Sequence, residues 1–518
     1  MIKGISVANF RSFKEKTTID LRPITVFVGK NSSGKSSLLR TFPLFRQSIE
    51  ENTTGPILWY GRYVDFGDFD EIKSNGSDSN HIEFNFDITI SDTTQHLYSV
   101  HRYWLSTIPD IDVRVRLIVH SKDKKTKTRE VAIEFPDVNI IISLDDNDNA
   151  KLIIKSGNEQ IERDGLTARN LGQFIPHLTQ KKNKEEQISS TNKRYLYGHN
   201  DRALENYFIE SAARKIQGKF HNKTDFSGIS NALSRIGFMP FDNLTQILET
   251  IFKEQKTFTK NFLHAKKEIT SDIYPFLLGY NINNIAELIN RTLNETFNNV
   301  KYIAPLRATS ERFYRFQDLQ INEIDHTGSN LAMLLNSLRP QEKIRFEQWT
   351  RDNFDFIVKV KQVGAHFAVI ISTNNKDEFN ISDMGFGYSQ VLPIVTAVWL
   401  ETERRGSYFK KPVTFIIEQP ELHLHPSYQY NLAKTFAKVI AKAKNTKIDL
   451  KIIFETHSQS MIEALGECIE DDSINIASED ISILVFDKND DNCTKVTKSF
   501  FDENGFLNNW PIGFFSGR

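Results

Sequence analysis

Apolar and polar residues alternate at Ile2, Ile5 and Val7, and a second apolar run, Ile24-Thr25-Val26-Phe27-Val28, stops abruptly at Gly29. Both patterns predict strands. From Ser36 onward, Leu38, Leu39, Phe42 and Phe45 recur at helical spacing toward Ile49, and Pro43, which has no amide hydrogen to give, is expected to kink that helix or cost it a hydrogen bond. Residues 81–157 alternate again, as in Ile82-Glu83-Phe84-Asn85-Phe86-Asp87-Ile88 and Val113-Arg114-Val115-Arg116-Leu117-Ile118-Val119, and predict a β-rich segment. The run Gln180-Lys181-Lys182-Asn183-Lys184-Glu185-Glu186-Gln187 mixes charge with almost no apolar side chain, which predicts a solvated linker.

Residues 201–299 return to helical spacing at Leu244, Ile247, Leu248, Ile251 and Phe252, then at Ile285, Leu288, Ile289 and Leu293. No heptad pattern lasts more than about three turns, so a compact helical insertion is expected rather than long coiled-coil arms. After Lys301 short strands and helices resume, with apolar strands at Val413-Thr414-Phe415-Ile416-Ile417 and Ile452-Ile453-Phe454. The pattern predicts a discontinuous α/β core interrupted by a β-rich and helical region, in three segments: 1–178, 179–300 and 301–518.

Composition narrows the partners. At 518 residues the chain exceeds what one hydrophobic core organises, so two or three structural units are expected. Lys plus Arg total 65 against 66 Asp plus Glu, which removes any global attraction to nucleic acid or anionic membrane and leaves local patches as the route to nucleic acid. The two cysteines, Cys468 and Cys493, are too few and too far apart for a disulfide framework or a thiolate metal site and fit a reducing compartment. The first residues lack a charged leader followed by an apolar core, and no stretch approaches the roughly 18 apolar residues of a membrane span. A cytoplasmic protein without a membrane segment is expected.

The chemistry concentrates at four places. Gly29-Lys30-Asn31-Ser32-Ser33-Gly34-Lys35-Ser36 fits G-x-x-x-x-G-K-[ST] between a predicted strand and a predicted helix. Its glycines let the backbone curl so that N–H groups face phosphate oxygens, Lys35 balances β- and γ-phosphate charge, and Ser36 is placed to ligate Mg²⁺, with Ser37 following into the helix. ATP and Mg²⁺ are the expected ligands. Downstream, Thr414-Phe415-Ile416-Ile417-Glu418-Gln419-Pro420-Glu421 puts an acid, Glu418, at the end of an apolar strand, where a magnesium-water partner would sit. Glu455-Thr456-His457-Ser458 follows another apolar strand, so His457 would emerge at the same edge. Asp383-Met384-Gly385-Phe386-Gly387-Tyr388-Ser389-Gln390 precedes an apolar helix-like run and sets two glycines, a hydroxyl and an amide at a helix start. His423 and His425 lie two apart as metal ligands can, but without a third ligand nearby they read as structural histidines.

In this order, the glycine loop, the glycine-serine segment, the acidic strand end and the strand-end histidine resemble the ABC-type ATPase family that includes the RecF, SMC and OLD proteins. The resemblance implies a P-loop ATPase head that sandwiches ATP between two copies, as a homodimer or a higher homo-oligomer. Gly385, Gly387, Ser389 and Gln390 would face the opposite nucleotide, with Ser389 on its γ-phosphate. Glu418 would be the Walker B acid and metal partner, His457 the switch histidine, and His425-Pro426 part of an interface loop. More narrowly, Tyr302-Ile303-Ala304-Pro305-Leu306-Arg307, the Glu418-Gln419-Pro420-Glu421 box, Glu455-Thr456-His457-Ser458 and Trp510-Pro511-Ile512-Gly513-Phe514-Phe515 resemble the PtuA-type ATPase subunits of Septu antiphage operons, including the retron-associated form. That likeness implies a separately encoded nuclease partner of HNH type and, in the retron form, a reverse transcriptase with its RNA/DNA product.

Many relatives carry Asp-Glu where this chain has Glu418-Gln419, and Gln419 cannot act as a base. Either Glu421 or His457 substitutes, with slow hydrolysis expected, or the chain mainly binds ATP and holds a closed dimer. A nuclease within this chain would need an acidic metal site after the core, whereas Asp487, Asp490 and Asp491 read as a solvated turn. The alternative is a repair or recombination ATPase that clamps duplex DNA; a transporter subunit fits less well, because the large insertion and the Glu-Gln-Pro-Glu box resemble the soluble branch.

Overall fold

The computed structural model describes the chain except for residues 52, 76–78, 91–109, 158, 170–171, 182–192, 309, 316–320, 365, 374–376, 405–410, 447 and 512–518. The charged run from residue 182 onward and residues 512–515 of the terminal segment therefore lie outside the described residues. The chain forms two compact units, one of residues 1–10, 48–59 and 67–294, the other of residues 11–47, 60–66 and 295–518. These units cut across the three segments drawn from the sequence pattern.

In the first unit an antiparallel meander runs through Ile82–Ile90, Ile111–Lys122, Lys125–Glu134, Val138–Leu144, Asn149–Ser156, Glu159–Arg169 and His177–Gln180, and Ile2–Ala8 pairs along Ile82–Ile90. The alternation explains it. In Ile111–Lys122, Val113, Val115, Leu117 and Val119 are buried while Asp112 and Arg114 are exposed, the period of two that gives a strand one covered face. The helices Phe226–Leu233, Phe241–Ile251, Lys256–His264 and Lys266–Tyr280 belong to the same unit, with Leu244 and Leu248 buried as their spacing requires.

The second unit is built on a mostly parallel sheet in the order Val300–Ile303, Val413–Glu418, Leu450–Glu455, Ile24–Gly29, Ile481–Lys488, extended by antiparallel Thr494–Phe501 and Leu507–Asn508. Ile24–Gly29, Val413–Glu418 and Leu450–Glu455 are buried at every position, which is why they read as unbroken apolar runs rather than alternating ones. Helices Phe386–Trp399, Pro426–Thr446 and Gln459–Glu470 pack into this core; Leu432, Phe436, Val439 and Ile440 put one face of the second of them inside. A small antiparallel sheet sets His366–Thr373 between Phe356–Val363 on one side and Tyr314–Arg315 and Glu378–Asn380 on the other.

The single kinked helix expected after Ser36 is two helices, Lys35–Leu39 and Thr41–Glu50, meeting at Arg40. Pro43 falls in the first turn of the second, where an amide hydrogen has no intrahelical acceptor, so the ring breaks nothing there. Both cysteines are free thiols, and burial pushes Cys468 up to about 11. No helix among the described residues is long and apolar enough to cross a membrane.

Candidate functional site

The strand Ile24–Gly29 delivers the chain into the loop 30–34 and the helix Lys35–Leu39, all within the second unit. Gly29 has φ +149°, and a Cβ there would lie 2.2 Å from the Phe486 carbonyl oxygen on the neighbouring strand. Gly34 has φ +98°, and its Cβ would meet Thr494 Oγ1 at 2.7 Å and Ser12 Oγ at 2.8 Å. Only glycine fits either place. Ser32 shares the left-handed region at φ +61°. Thr494, at the start of the strand Thr494–Phe501 two strands away in the sheet, braces the loop: its N–H donates to the Ser12 carbonyl at 2.8 Å, and its hydroxyl lies 2.8 Å from the Ser33 carbonyl.

Asn31 and Ser32 are exposed, Gly34, Ser36 and Ser37 half-buried, and Ser33 and Lys35 buried. The Lys35 ammonium donates to the carbonyls of Gly29 (2.9 Å) and Lys30 (2.8 Å) and lies 3.6 Å from Glu455 Oε1. Burial lowers its pKa and the Glu455 charge opposes that fall. The Ser33 hydroxyl is buried with no partner among the described residues. A curled glycine loop, a buried ammonium, a buried hydroxyl without a partner among the described residues and a serine beside a carboxylate form a donor set that fits a phosphate chain with its divalent cation.

Two carboxylates close the other side. Glu418 and Glu455 end neighbouring parallel strands, are paired directly in register, and are 2% and 3% exposed. Glu455 Oε2 accepts from the Ser36 hydroxyl at 2.6 Å. Burial raises the Glu455 pKa, while Ser36 and Lys35 pull the other way. Glu418 takes a two-pronged hydrogen bond from Arg40, Nε to Oε1 at 2.7 Å and Nη2 to Oε2 at 2.8 Å, and Oε1 also accepts from the Tyr302 hydroxyl at 2.7 Å. The Glu418 hydrogen bond raises the Arg40 pKa, and burial raises that of Tyr302.

Beyond Glu418 the chain turns. Gln419 sits at φ +44° with its N–H on the Glu455 carbonyl at 3.0 Å. Arg307, 6% exposed, donates from Nη2 to the Glu418 carbonyl at 2.9 Å and toward that of Gln419 at 3.4 Å, while its Nε and Nη1 have no partner among the described residues. Burial lowers its pKa to about 10. Glu421 Oε1 accepts the His457 backbone N–H at 2.7 Å, Oε2 is buried and unpartnered among the described residues, and burial raises the pKa. The exposed His457 ring has its pKa lowered, first by desolvation and then by Lys35. His423 and His425 are exposed, and His425 Nδ1 lies 2.8 Å from Ser427 Oγ at the start of Pro426–Thr446. Asp487, Asp490 and Asp491 are exposed at a strand end and turn.

Gly385, at φ +75°, opens the helix Phe386–Trp399. Ser389 and Gln390 are buried, and the Ser389 hydroxyl donates to the Phe386 carbonyl at 2.8 Å. The exposed members of the segment are Asp383, Gly385 and Phe386; the Phe386 ring lies 5.9 Å from that of His423, and a Cβ on Gly387 would meet the His423 carbonyl at 3.2 Å. The glycine-serine segment and the turn after Glu418 thus share one face.

Glu418, Gln419, Glu421, His457 and the loop 29–37 come together in this unit. Arg40, Tyr302, Arg307, Thr494 and Glu455 join them without a role legible in the sequence pattern. For Glu455 the signal was present: Ile452-Ile453-Phe454-Glu455 repeats the pattern of Phe415-Ile416-Ile417-Glu418, an apolar strand ending in an acid.

Residues 476–516 match a family described as a protein of unknown function. No curated protein matches the chain. Among solved structures, the SMC head domain from Thermotoga maritima is 9% identical, with 96% of this chain and 98% of that chain covered at a TM-score of 0.32. The Smc head domain with a coiled coil and joint derived from Pyrococcus yayanosii is 9% identical, covering 97% and 98% at 0.36. Residues 1–462, which hold the phosphate loop, both strand-end carboxylates and His457, match the AAA ATPase domain, and the chain belongs to that ATPase family.

Proposed function

We propose that the chain binds ATP with magnesium on the loop 29–36, closes on a second copy in doing so, hydrolyses the nucleotide slowly, and in the closed state restrains a separately encoded nuclease of an antiphage operon. The observation that carries this reading is Gln419. It stands directly after the strand-end acid, tied through its N–H to Glu455, and it brings an amide where a proton acceptor is needed. A candidate base is Glu421, whose Oε2 is buried with no hydrogen-bond partner among the described residues and whose pKa burial has raised, with His457 beside it. The lowered pKa favours a neutral His457 ring at pH 7, able to hydrogen-bond without adding charge. A base displaced from its usual place favours a long-lived ATP state.

Magnesium, when bound, would draw charge from the β- and γ-oxygens. Lys35 and the loop amides balance what remains, and Ser36 supplies a hydroxyl. The second copy is supported by the exposed face of Gly385, Phe386, His423 and His425. The backbone N–H groups at the start of the 14-residue helix Phe386–Trp399 would then meet the opposite phosphate, since the Ser389 hydroxyl is committed to Phe386. The nuclease and reverse transcriptase partners rest on the motif resemblance of the Glu-Gln-Pro-Glu and Glu-Thr-His-Ser boxes.

Sedimentation with and without Mg·ATP, alongside single-turnover hydrolysis, tests the reading. Association that requires ATP and disappears in Lys35→Ala is expected, with nuclease activity of the co-purified complex falling as ATP rises. Hydrolysis by the isolated chain near the enzyme median of about 10 s⁻¹, or equal cleavage at saturating ATP, would overturn it. Salt-dependent binding of duplex DNA by the isolated chain would favour the recombination-type alternative.

A further inference from the structure

We propose that Glu455, rather than Glu418, is the carboxylate that joins the Ser36 hydroxyl in holding the magnesium ion of a bound nucleotide, and that Glu418 is a positioning residue; the assignment rests on the nucleotide reading above. The two acids look alike in sequence and in burial. Their partners separate them.

Among the described residues, both side-chain partners of Glu455 belong to the phosphate loop: Ser36 on Oε2 at 2.6 Å and Lys35 at 3.6 Å from Oε1. A cation entering between Ser36 and a phosphate meets a Glu455 oxygen by replacing one hydroxyl hydrogen bond, and a buried carboxylate gains a positive neighbour. Magnesium keeps several waters and takes only one or two carboxylates, so this single acid suffices. Topology agrees. Leu450–Glu455 pairs directly with Ile24–Gly29, whereas Val413–Glu418 lies one strand further out, each step being about 4.8 Å.

Glu418 has both oxygens engaged. The Arg40 guanidinium occupies one on each prong and Tyr302 adds a third hydrogen bond. Such two-pronged, charge-assisted pairs are the strongest hydrogen bonds a carboxylate makes with a side chain, and reaching a metal would require breaking them. The pair has a different use. Arg40 follows the helix Lys35–Leu39 and Glu418 precedes Gln419, so the link fastens the end of the phosphate-loop helix to the turn that carries Gln419 and Glu421. Arg307 holds the same turn by the carbonyls of Glu418 and Gln419.

The test uses Mn²⁺ as the probe. Free Mn²⁺ is read by electron paramagnetic resonance in titrations of the full chain with ATP, and a fluorescent ATP analogue in EDTA reports metal-free nucleotide binding separately. Glu455→Gln is expected to weaken Mn²⁺ binding about tenfold or more, since losing even an outer-shell partner of a metal ligand costs at least about that much, without loss of nucleotide affinity in EDTA. Glu418→Gln is expected to hold Mn²⁺ better than Glu455→Gln does. Should Glu455→Gln not fold, Glu455→Asp keeps the charge and shortens its reach by one carbon; a weakened Mn²⁺ affinity is then expected, and wild-type affinity overturns the assignment. A loss confined to Glu418→Gln, or unchanged Mn²⁺ affinity in both variants that still bind nucleotide, also overturns the assignment and leaves the nucleotide reading standing. A wild-type chain that binds no nucleotide with or without Mn²⁺ overturns both.

Discussion

Replacing Arg40 by methionine would leave the Glu418 carboxylate, 2% exposed, with Tyr302 as its remaining side-chain partner among those described. Removing one member of a buried ion pair costs about 3–5 kcal/mol, because the other charge stays behind without compensation. The Arg40 side chain is 39% exposed, so water reaches part of the space it leaves, and the expected cost drops to about 2–3 kcal/mol. The cost should be local, since the pair ties the end of Val413–Glu418 to the end of Lys35–Leu39. Amide hydrogen exchange read by mass spectrometry suits a chain of two units, for which a single unfolding midpoint has little meaning. Peptides covering residues 413–424 should exchange about 30- to 150-fold faster in Arg40→Met, at a factor of ten for each 1.4 kcal/mol. The strand Ile111–Lys122 in the first unit should not change. The double variant Arg40→Met/Glu418→Gln removes the stranded charge, and its effect should fall short of the sum of the two single effects by about 1–3 kcal/mol. A change below threefold in Arg40→Met, or strict additivity of the two substitutions, would refute the reasoning.

Gly34→Ala places a Cβ 2.7 Å from Thr494 Oγ1 at φ +98°, so ATP affinity by calorimetry should drop at least about tenfold while the sheet's exchange protection persists. Gln419→Glu restores a carboxylate after Glu418 and should raise single-turnover hydrolysis by about tenfold or more; an unchanged rate would show that the missing base does not limit turnover. A base acts only when deprotonated, and burial holds the Glu421 pKa above its ordinary value. Turnover should therefore fall with decreasing pH earlier than an ordinary carboxylate near 4.3 would dictate, and Glu421→Gln should remove that limb of the profile. Phe386→Asp puts a charge on the exposed face beside His423 and should abolish ATP-dependent association in sedimentation, whereas Ser389→Ala, which loses a hydroxyl turned inward, should weaken it far less.

The amino-acid sequence by itself determined the elements whose cause is local. The phosphate loop was legible because Gly29 and Gly34 stand where the backbone must curl, with a lysine and a serine at fixed offsets. The central strands were legible because burial on both faces leaves an unbroken apolar run, and the meander because burial on one face leaves a period of two. The effect of Pro43 was not legible, because it depends on where a helix begins, and that is set by the break at Arg40. Tertiary structure alone decided which cation meets which acid. Glu418 and Glu455 end the same kind of strand, and nothing in their neighbours along the chain says that one will face Arg40 and Tyr302 and the other Ser36 and Lys35. Those partners lie 378 and 419 residues away for the Arg40 and Ser36 contacts, brought close only by the order of parallel strands in the sheet. The same holds for Ser389, whose hydroxyl was readable but whose inward direction follows from the pitch of the helix that Gly385 starts. A residue's type can be read from the chain, but the field around a buried charge is made by neighbours that the fold supplies.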